Sequence, residues 1–392
     1  MRALWVLLGA GTVSLYWLPD GVPLVSVAGL QVGVNDLALV LYSFGAINHL
    51  RQVAEARAGH TLALALVLAL YGVSLIRGLP IFGASAVSEA RSTLLFLAVI
   101  VWVLAQSRRE DFRTVVDEFI TWTGIGLVGL AILNVALHGV GAADEFVLRG
   151  GELVSNRPLI ATQAAFLGLA AIYLAVRRKR LPLAALFLIV VLVAQHRSVW
   201  AATVAGLLVA VLVSTNPVTR ARIIVSGVYG SALFVLAALA GLLGDVLTDL
   251  AHSFQSRGTL EDRQGGWDAL LIDFHAAPLF ERLIGLPFGS GYERYNESGE
   301  LVTYSPHSLY VTAYLRIGMV GACAGTALLL GSLLRHLHTR HAERAALLVM
   351  LLTYGYAYYP TWPLAVLMAV ALMFDPVPDP VTRLNERAST RQ

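Results

Sequence analysis

The sequence predicts an all-α, polytopic transmembrane bundle. Of its 392 residues 57% are hydrophobic and only 14% charged, and the mean hydropathy is +0.71, far from the range of soluble domains. Apolar stretches recur along the chain, most of them close to the roughly 20 residues that a helix needs to cross the hydrocarbon core. Inside a bilayer every backbone polar group must be paired, which leaves helices or closed barrels, and the dyad alternation of a barrel is absent.

About twelve such stretches follow one another, near residues 3–18, 34–50, 60–77, 89–105, 119–138, 158–176, 181–195, 198–214, 222–244, 307–334, 344–359 and 362–375. The first has the short basic start of a signal peptide but no small-x-small cleavage site, and it reads as a retained helix. The seventh and eighth are short and nearly fused, and hydropathy alone supports ten to twelve spans. Residues 1–245 thus carry nine helices, residues 246–306 form one large polar excursion, and residues 307–392 carry three helices and a basic tail. The single cysteine, Cys323, stands in an apolar run. It excludes a disulfide framework or a thiolate metal site within one chain and reads as a packing residue.

Lys and Arg collect in alternate short loops: Arg51 and Arg57, Arg108 to Arg113, Arg177 to Arg180, Arg220 and Arg222, and Arg335 to Arg344. That pattern makes their face cytoplasmic and puts both termini there, Arg383, Arg387 and Arg391 included. The opposite face receives Asp20, the segment from Asp144 to Arg157, the His196-Arg197 turn and the long excursion. The net charge of +3 is therefore first a topological signal, and no nucleic-acid motif accompanies it.

Within the excursion, Arg263, Trp267, Leu270, Leu271 and Phe274 recur at helical spacing and define one face of a short amphipathic helix lying on the bundle. Gly265 and Gly266 weaken its first turn, and Pro278 ends it. The stretch from Gly285 to Glu300 has the glycine density of a tight loop in which backbone approaches something closely, although by itself it reads as an ordinary surface loop. Ser305-Pro306-His307 reads as a helix start, with Ser305 as N-cap and His307 in the first turn. There the helix dipole disfavours imidazolium and leaves a neutral, proton-accepting ring. Arg197 sits where a helix-end arginine commonly snorkels to the headgroups. Arg316 stands about 13 Å into its span, a costly place for a guanidinium without a partner. Asp36 and Arg91 lie near the outer ends of their spans, and Asp36 is a candidate partner for either arginine. The histidines are scattered, and no His/Asp/Glu group has ligand spacing.

These residues resemble the bacterial O-antigen ligase and polymerase superfamily, polytopic glycosyltransferases with a GT-C type fold. The resemblance rests on an arginine after a short outer turn in "QHRSVW" (Arg197) and an Arg-x-x-x-Trp stretch in "RQGGWDAL" (Arg263, Trp267). It also rests on a histidine opening the next helix in "PHSLYVTAYLRIGMVG" (His307, with Tyr310 after it), a Gly-x-Gly loop in "LIGLPFGSGYERY", and "VNDLALVLY" with Asp36. It covers Gln195 to Gly321 well. Ser308 departs from the asparagine common in the family. The resemblance implies transfer of a glycan from a polyprenyl (undecaprenyl) diphosphate carrier to a sugar hydroxyl, on a growing glycan or on lipid A core. In it, Arg197 and Arg263 hold the diphosphate, His307 acts as base, and Arg316, Arg91, Trp267, Tyr310 and Asp36 are further substrate contacts. It implies an inverting reaction without metal or cofactor. Ligase and polymerase differ only in acceptor. A transporter or flippase is the rival from another class, but the internal repeats and broken midplane helices usual there are not seen in the sequence.

The orientation is open to a direct check in intact cells on a Cys323→Ala background. A cysteine at Gly299 should react with an impermeant thiol reagent and one at Lys179 should be protected; the reverse pattern overturns the assignment.

Overall fold

The computed structural model describes residues 2–14, 25–27, 30–32, 34–47, 58–107, 109–139, 146–149, 152–155, 157–178, 180–241, 258–295, 301–303 and 305–373. Each of the twelve apolar stretches is helical: α1 (Arg2–Ser14), α2 (Val34–Ile47), α3 (Ala58–Phe82), α4 (Ala84–Gln106), α5 (Phe112–His138), α6 (Ala161–Tyr173, continued by a π-turn over Leu174–Arg178), α7 (Leu181–Val193), α8 (Arg197–Val213), α9 (Pro217–Leu239), α12 (Leu309–His338), α13 (Ala342–Ala357) and α14 (Ala365–Leu372). Between α9 and α12 lie α10 (Gly258–Ala276) and α11 (Leu279–Ile284). Three short antiparallel pairs complete the described elements: β1 (Val25–Val27) with β2 (Leu30–Val32), β3 (Phe146–Arg149) with β4 (Glu152–Ser155), and β5 (Arg294–Tyr295) with β6 (Leu301–Val302).

Among the described residues four helices are long and apolar enough to cross a membrane: His60–Phe82 of α3, together with α4, α5 and α12. The remaining apolar helices include shorter ones, α6, α7 and α8 among them, so the described helices do not amount to twelve full spans. The reason lies in the packing. α6 and α14 are buried on every side, as expected of helices that are apolar all round, and they form the centre against which longer helices lie. Small residues permit the close approach. A side chain on Gly168 would meet Met350 and Thr203, and one on Gly206 would come within 3.1 Å of Ala346 O.

The two ends of the bundle differ. At one, Arg177 of the α6 π-turn pairs with Glu343 of α13 (Nη1–Oε2 3.1 Å), Arg180 Nη1 donates to Thr121 Oγ1 of α5 (3.4 Å), and Arg344 Nη1 donates to Met373 O (3.1 Å). Arg177 and Arg180 of one basic loop and Arg344 of another thus lie at one end; Arg51, Arg57, Arg108, Lys179 and the C-terminal arginines lie outside the described residues. At the other end, Asn134 Nδ2 donates to Pro158 O (2.7 Å) and Thr361 Oγ1 to Thr162 Oγ1 (3.4 Å). Cys323 does not pack inside: it is exposed on the outward face of α12.

The largest departure from a plain bundle is the segment after α11. Gly285 to Tyr292 is not a surface loop but is sunk between α3, α4 and α12. Leu286 N–H donates to Leu315 O (2.7 Å) and Phe288 N–H to Ser74 O (3.1 Å), while Ser74 Oγ returns a bond to Leu286 O (2.8 Å). Gly285 and Gly289 both have φ 92, and neither has room for a side chain: a Cβ would lie 2.3 Å from Arg316 C and 2.4 Å from Phe82 Cβ, respectively. The glycine density therefore marks close approach as well as left-handed backbone. α12 is itself broken where the loop crosses it, at Gly318 (φ 62, ψ −168).

Arg316 closes this junction. It is 0% exposed. Its Nη2 lies 2.5 Å from Glu89 Oε1 of α4 and donates to Gly291 O (2.8 Å); Nη1 donates to Pro287 O (2.9 Å) and Ser290 Oγ (2.6 Å); and Nε donates to Tyr292 Oη (3.2 Å). Glu89 Oε2 in turn accepts from Gly289 N–H (2.8 Å). The guanidinium, costly at this depth without a partner, is saturated by Glu89 and the loop it holds and not by Asp36, which fits it for pinning that loop rather than for binding a substrate.

Arg316→Met should cost on the order of 3–5 kcal/mol, because it strands a buried carboxylate and several carbonyls. The measurement is thermal unfolding of the solubilised protein. Adding Glu89→Gln should recover part of the loss; no change on either substitution would remove Arg316 from its place at this junction.

Candidate functional site

α10 lies on the bundle through the face its sequence defines: Trp267, Leu270 and Phe274 are buried, whereas Ile272 is exposed. Leu270 and Phe274 form a small cluster with Tyr292 and Leu315. The helix ends at Ala276, just before Pro278, but it starts earlier than expected, at Gly258, and runs unbroken through Gly265 and Gly266. Gly266 has a packing reason. A Cβ there would fall 2.8 Å from Arg294 Nε, so the glycine makes room for a guanidinium lying against the helix.

Trp267 joins α10 to the start of α12. Its Nε1–H donates to Pro306 O (2.6 Å), and its ring stands edge-on to Tyr356 (5.3 Å between centroids). One turn earlier, Arg263 Nη1 donates to Ala357 O at the end of α13 (2.9 Å), with its Cζ 5.0 Å from the centroid of the Tyr358 ring. Gln264 Nε2 donates to Tyr356 Oη (2.9 Å). Trp267 is therefore a buried strut and not an exposed stacking platform.

His307 is not inside the helix. α12 begins at Leu309, and its N-cap is Ser308, whose Oγ accepts from Val311 N–H (3.5 Å). His307 stands before that cap with φ 50, a left-handed conformation that no helical residue adopts and that histidine tolerates better than most. The Ser305-Pro306 start misleads because Pro306 is engaged by Trp267 while the better-placed hydroxyl belongs to Ser308. Serine and asparagine are comparable N-caps, so the departure from the family pattern at this position keeps the same local chemistry. The His307 side chain is exposed by surface area but crowded enough that burial is the main cause lowering its pKa below 6.5; Arg263 and then Arg294 push it further down. The structure thus brings Arg263 and His307 together and adds Arg294, which sequence reasoning missed. Arg294 begins β5, is nearly buried, and donates from Nη1 to Tyr292 O (2.9 Å). Its only trace in sequence is indirect, a glycine at 266 on the face of an otherwise good helix.

Other candidates sit elsewhere. Arg197 is the first residue of α8 and is exposed. Since Gly206 of α8 packs on Ala346 and Met350 of the antiparallel α13, Arg197 lies at the same end of the bundle as Ala357. Arg91 pairs with Asp36 across α4 and α2 (Nη1–Oδ2 3.7 Å), which joins two of the candidates to each other. Tyr310 is exposed and its Oη donates to Leu352 O (2.7 Å).

The turn before Arg197 contains a built histidine. His196 is buried, with Nδ1 3.0 Å from Arg157 Nη1 and Nε2 2.9 Å from Leu159 O. Arginine only donates and a carbonyl only accepts, so Nδ1 must accept and Nε2 must donate, which fixes a neutral tautomer. Burial first, then the Arg157 charge, lowers its pKa to about 3. Among the described residues no group of three or more His, Cys, Asp or Glu side chains that could hold a metal ion is found. No family model, no curated protein and no solved structure matches the chain.

Because the folded-state pKa of His196 is depressed, the unfolded chain takes up its proton first. Stability from this residue is full above about pH 6.5 and is lost as pH falls towards about 3. His196→Gln should flatten the fall in melting temperature between pH 7 and 4; an unchanged slope would show that the ring does not titrate as placed.

Proposed function

We propose that this protein is an O-antigen ligase-like glycosyltransferase that moves a glycan from a polyprenyl diphosphate carrier to a sugar hydroxyl at the non-basic, periplasmic end of the bundle. The observation that supports it is the convergence of Arg263, Arg294 and His307 around the Trp267–Pro306 strut. Two guanidiniums beside a partly buried imidazole offer positive charge to an anion, and burial first, then their charges, keep that imidazole neutral.

Each group has a task in a single displacement. The acceptor hydroxyl oxygen attacks the anomeric carbon as its proton passes to neutral His307. The bond from that carbon to the phosphate oxygen breaks, and its electron pair leaves with the diphosphate. A diphosphate needs little protonation to depart, so the arginines stabilise its charge by bidentate hydrogen bonds instead. Arg197, at the same end of the bundle, supplies a further cation to the carrier. Attack opposite the leaving group inverts the anomeric centre.

The test is turnover by purified protein with lipid-linked donor and acceptor, read as release of the polyprenyl diphosphate. His307→Ala should lower the rate about 100-fold or more while donor binding persists. Arg263→Lys should be nearly as damaging as Arg263→Ala, since a point charge does not replace a planar fork. The acidic limb of kcat/KM should fall below pH 6.5, because the His307 pKa is lowered. Full activity of His307→Ala would remove the base, and loss of turnover on chelation would contradict the metal-independent scheme. Transfer to lipid A core marks a ligase and transfer to another repeat unit a polymerase, whereas no turnover with either acceptor would leave the transporter reading in place.

A further inference from the structure

α11 has only six residues and no buried side chain. Isolated helices shorter than about 12–15 residues are marginal in water, so its stability must come from its surroundings. Two of its residues are large, apolar and open: Leu279 at 61% and Phe280 at 59% exposure. Phe280 lies over the Arg77 guanidinium of α3 (5.0 Å from Cζ to the ring centroid), and Glu281 pairs with the same arginine (Oε1–Nη2 3.5 Å). Arg77 Nη1 also donates to Gly285 O (2.7 Å).

The depth of these contacts follows from α3, one of the helices fit to cross a membrane. Arg77 is five residues before the helix end at Phe82, or about 7 Å below it at 1.5 Å per residue. Ser74, which holds Phe288, is about 12 Å below. Irregular backbone at membrane depth is tolerated only where protein encloses it, which is how Gly285 to Gly289 is held, the chain reaching the surface at Ser290. The surface of α3 beside this segment is apolar and outward-facing, with Ile76 at 69% and Ile81 at 66% exposure. Phe280, over Arg77 of the same helix, lies beside it.

We propose that α11 and the loop after it form a re-entrant segment, and that Leu279 and Phe280 of α11 are seated among the acyl chains of the leaflet at the non-basic end. Arg77 is then an anchor, its charge answered by Glu281 and a carbonyl and screened from lipid by the Phe280 ring. The inference rests on the membrane character of α3 and is independent of the proposed reaction.

The test is collision accessibility of a nitroxide on the protein in lipid nanodiscs, with Cys323→Ala as background. Labels at Phe280→Cys and, as a second position, Leu279→Cys are compared with Ile76→Cys on α3 and Asp273→Cys on the water-facing side of α10. Oxygen access as high as at 76, with loss of the access to a water-soluble nickel complex seen at 273, is expected at both α11 positions. Nickel access equal to that at 273 would overturn the proposal. Spin–spin broadening that disappears on dilution with unlabelled protein would also overturn it, by placing a second copy of the chain on this face.

Discussion

The buried pairing of Arg316 with Glu89 is the constraint on which the rest of this end depends. A guanidinium within a membrane-type helix is costly unless its donors are all used, and here α4 supplies a carboxylate while the sunken loop supplies three carbonyls or hydroxyls and a phenol. Solving that electrostatic problem ties α12 to α4 and fixes the loop between them. The loop leads into β5, which brings Arg294 against Gly266 of α10. The break of α12 at Gly318 belongs to the same solution, since Leu315 O there accepts from the loop.

The candidate site inherits its order from that junction. Arg263 is steadied by a carbonyl and the Tyr358 ring, Arg294 by a carbonyl of the pinned loop, and the chain entering α12 by the Trp267 indole. These supports are backbone acceptors and an aromatic ring, which fix the direction in which each cation points. Such an arrangement holds its charges in place before an anion arrives, which is the condition for electrostatic stabilisation without reorganisation. The left-handed His307 adds local strain of the kind that surrounding structure must hold, and such strain collects at functional sites.

The helices were legible because burial in lipid or in a helical core demands long apolar runs, and twelve of twelve such runs are helical. Whether a run crosses a bilayer was less legible. α6 and α14 carry the same apolar signal as α3, yet the structure encloses them in protein. Periodicity placed Trp267, Leu270 and Phe274 on the buried face of α10 correctly, since that signal is local. The Ser305 cap and the packed Cys323 failed for the opposite reason: one depended on where Trp267 pulls Pro306, the other on which way α12 faces. Arg294 was invisible because its significance comes from packing on a distant glycine. Asp36 and Arg91, read as near the outer ends of their spans, are partners across α2 and α4. The reading of Gly285 to Glu300 caught the close approach but not its depth, which is set by Ser74, Arg77 and Glu89, far away in the chain.

A loop held at so many points has a fixed contour. Between Ile284 and Tyr292 bonds to Ser74, Arg77, Glu89, Leu315 and Arg316 fall on nearly successive residues, so one inserted or deleted residue would throw every later bond out of step. Divergence in length is therefore expected to stop short at Gly285. In a chain whose hydrophobic helices can exchange one apolar residue for another with little trace, an invariant residue count across this short stretch would outlast sequence identity as a mark of common descent.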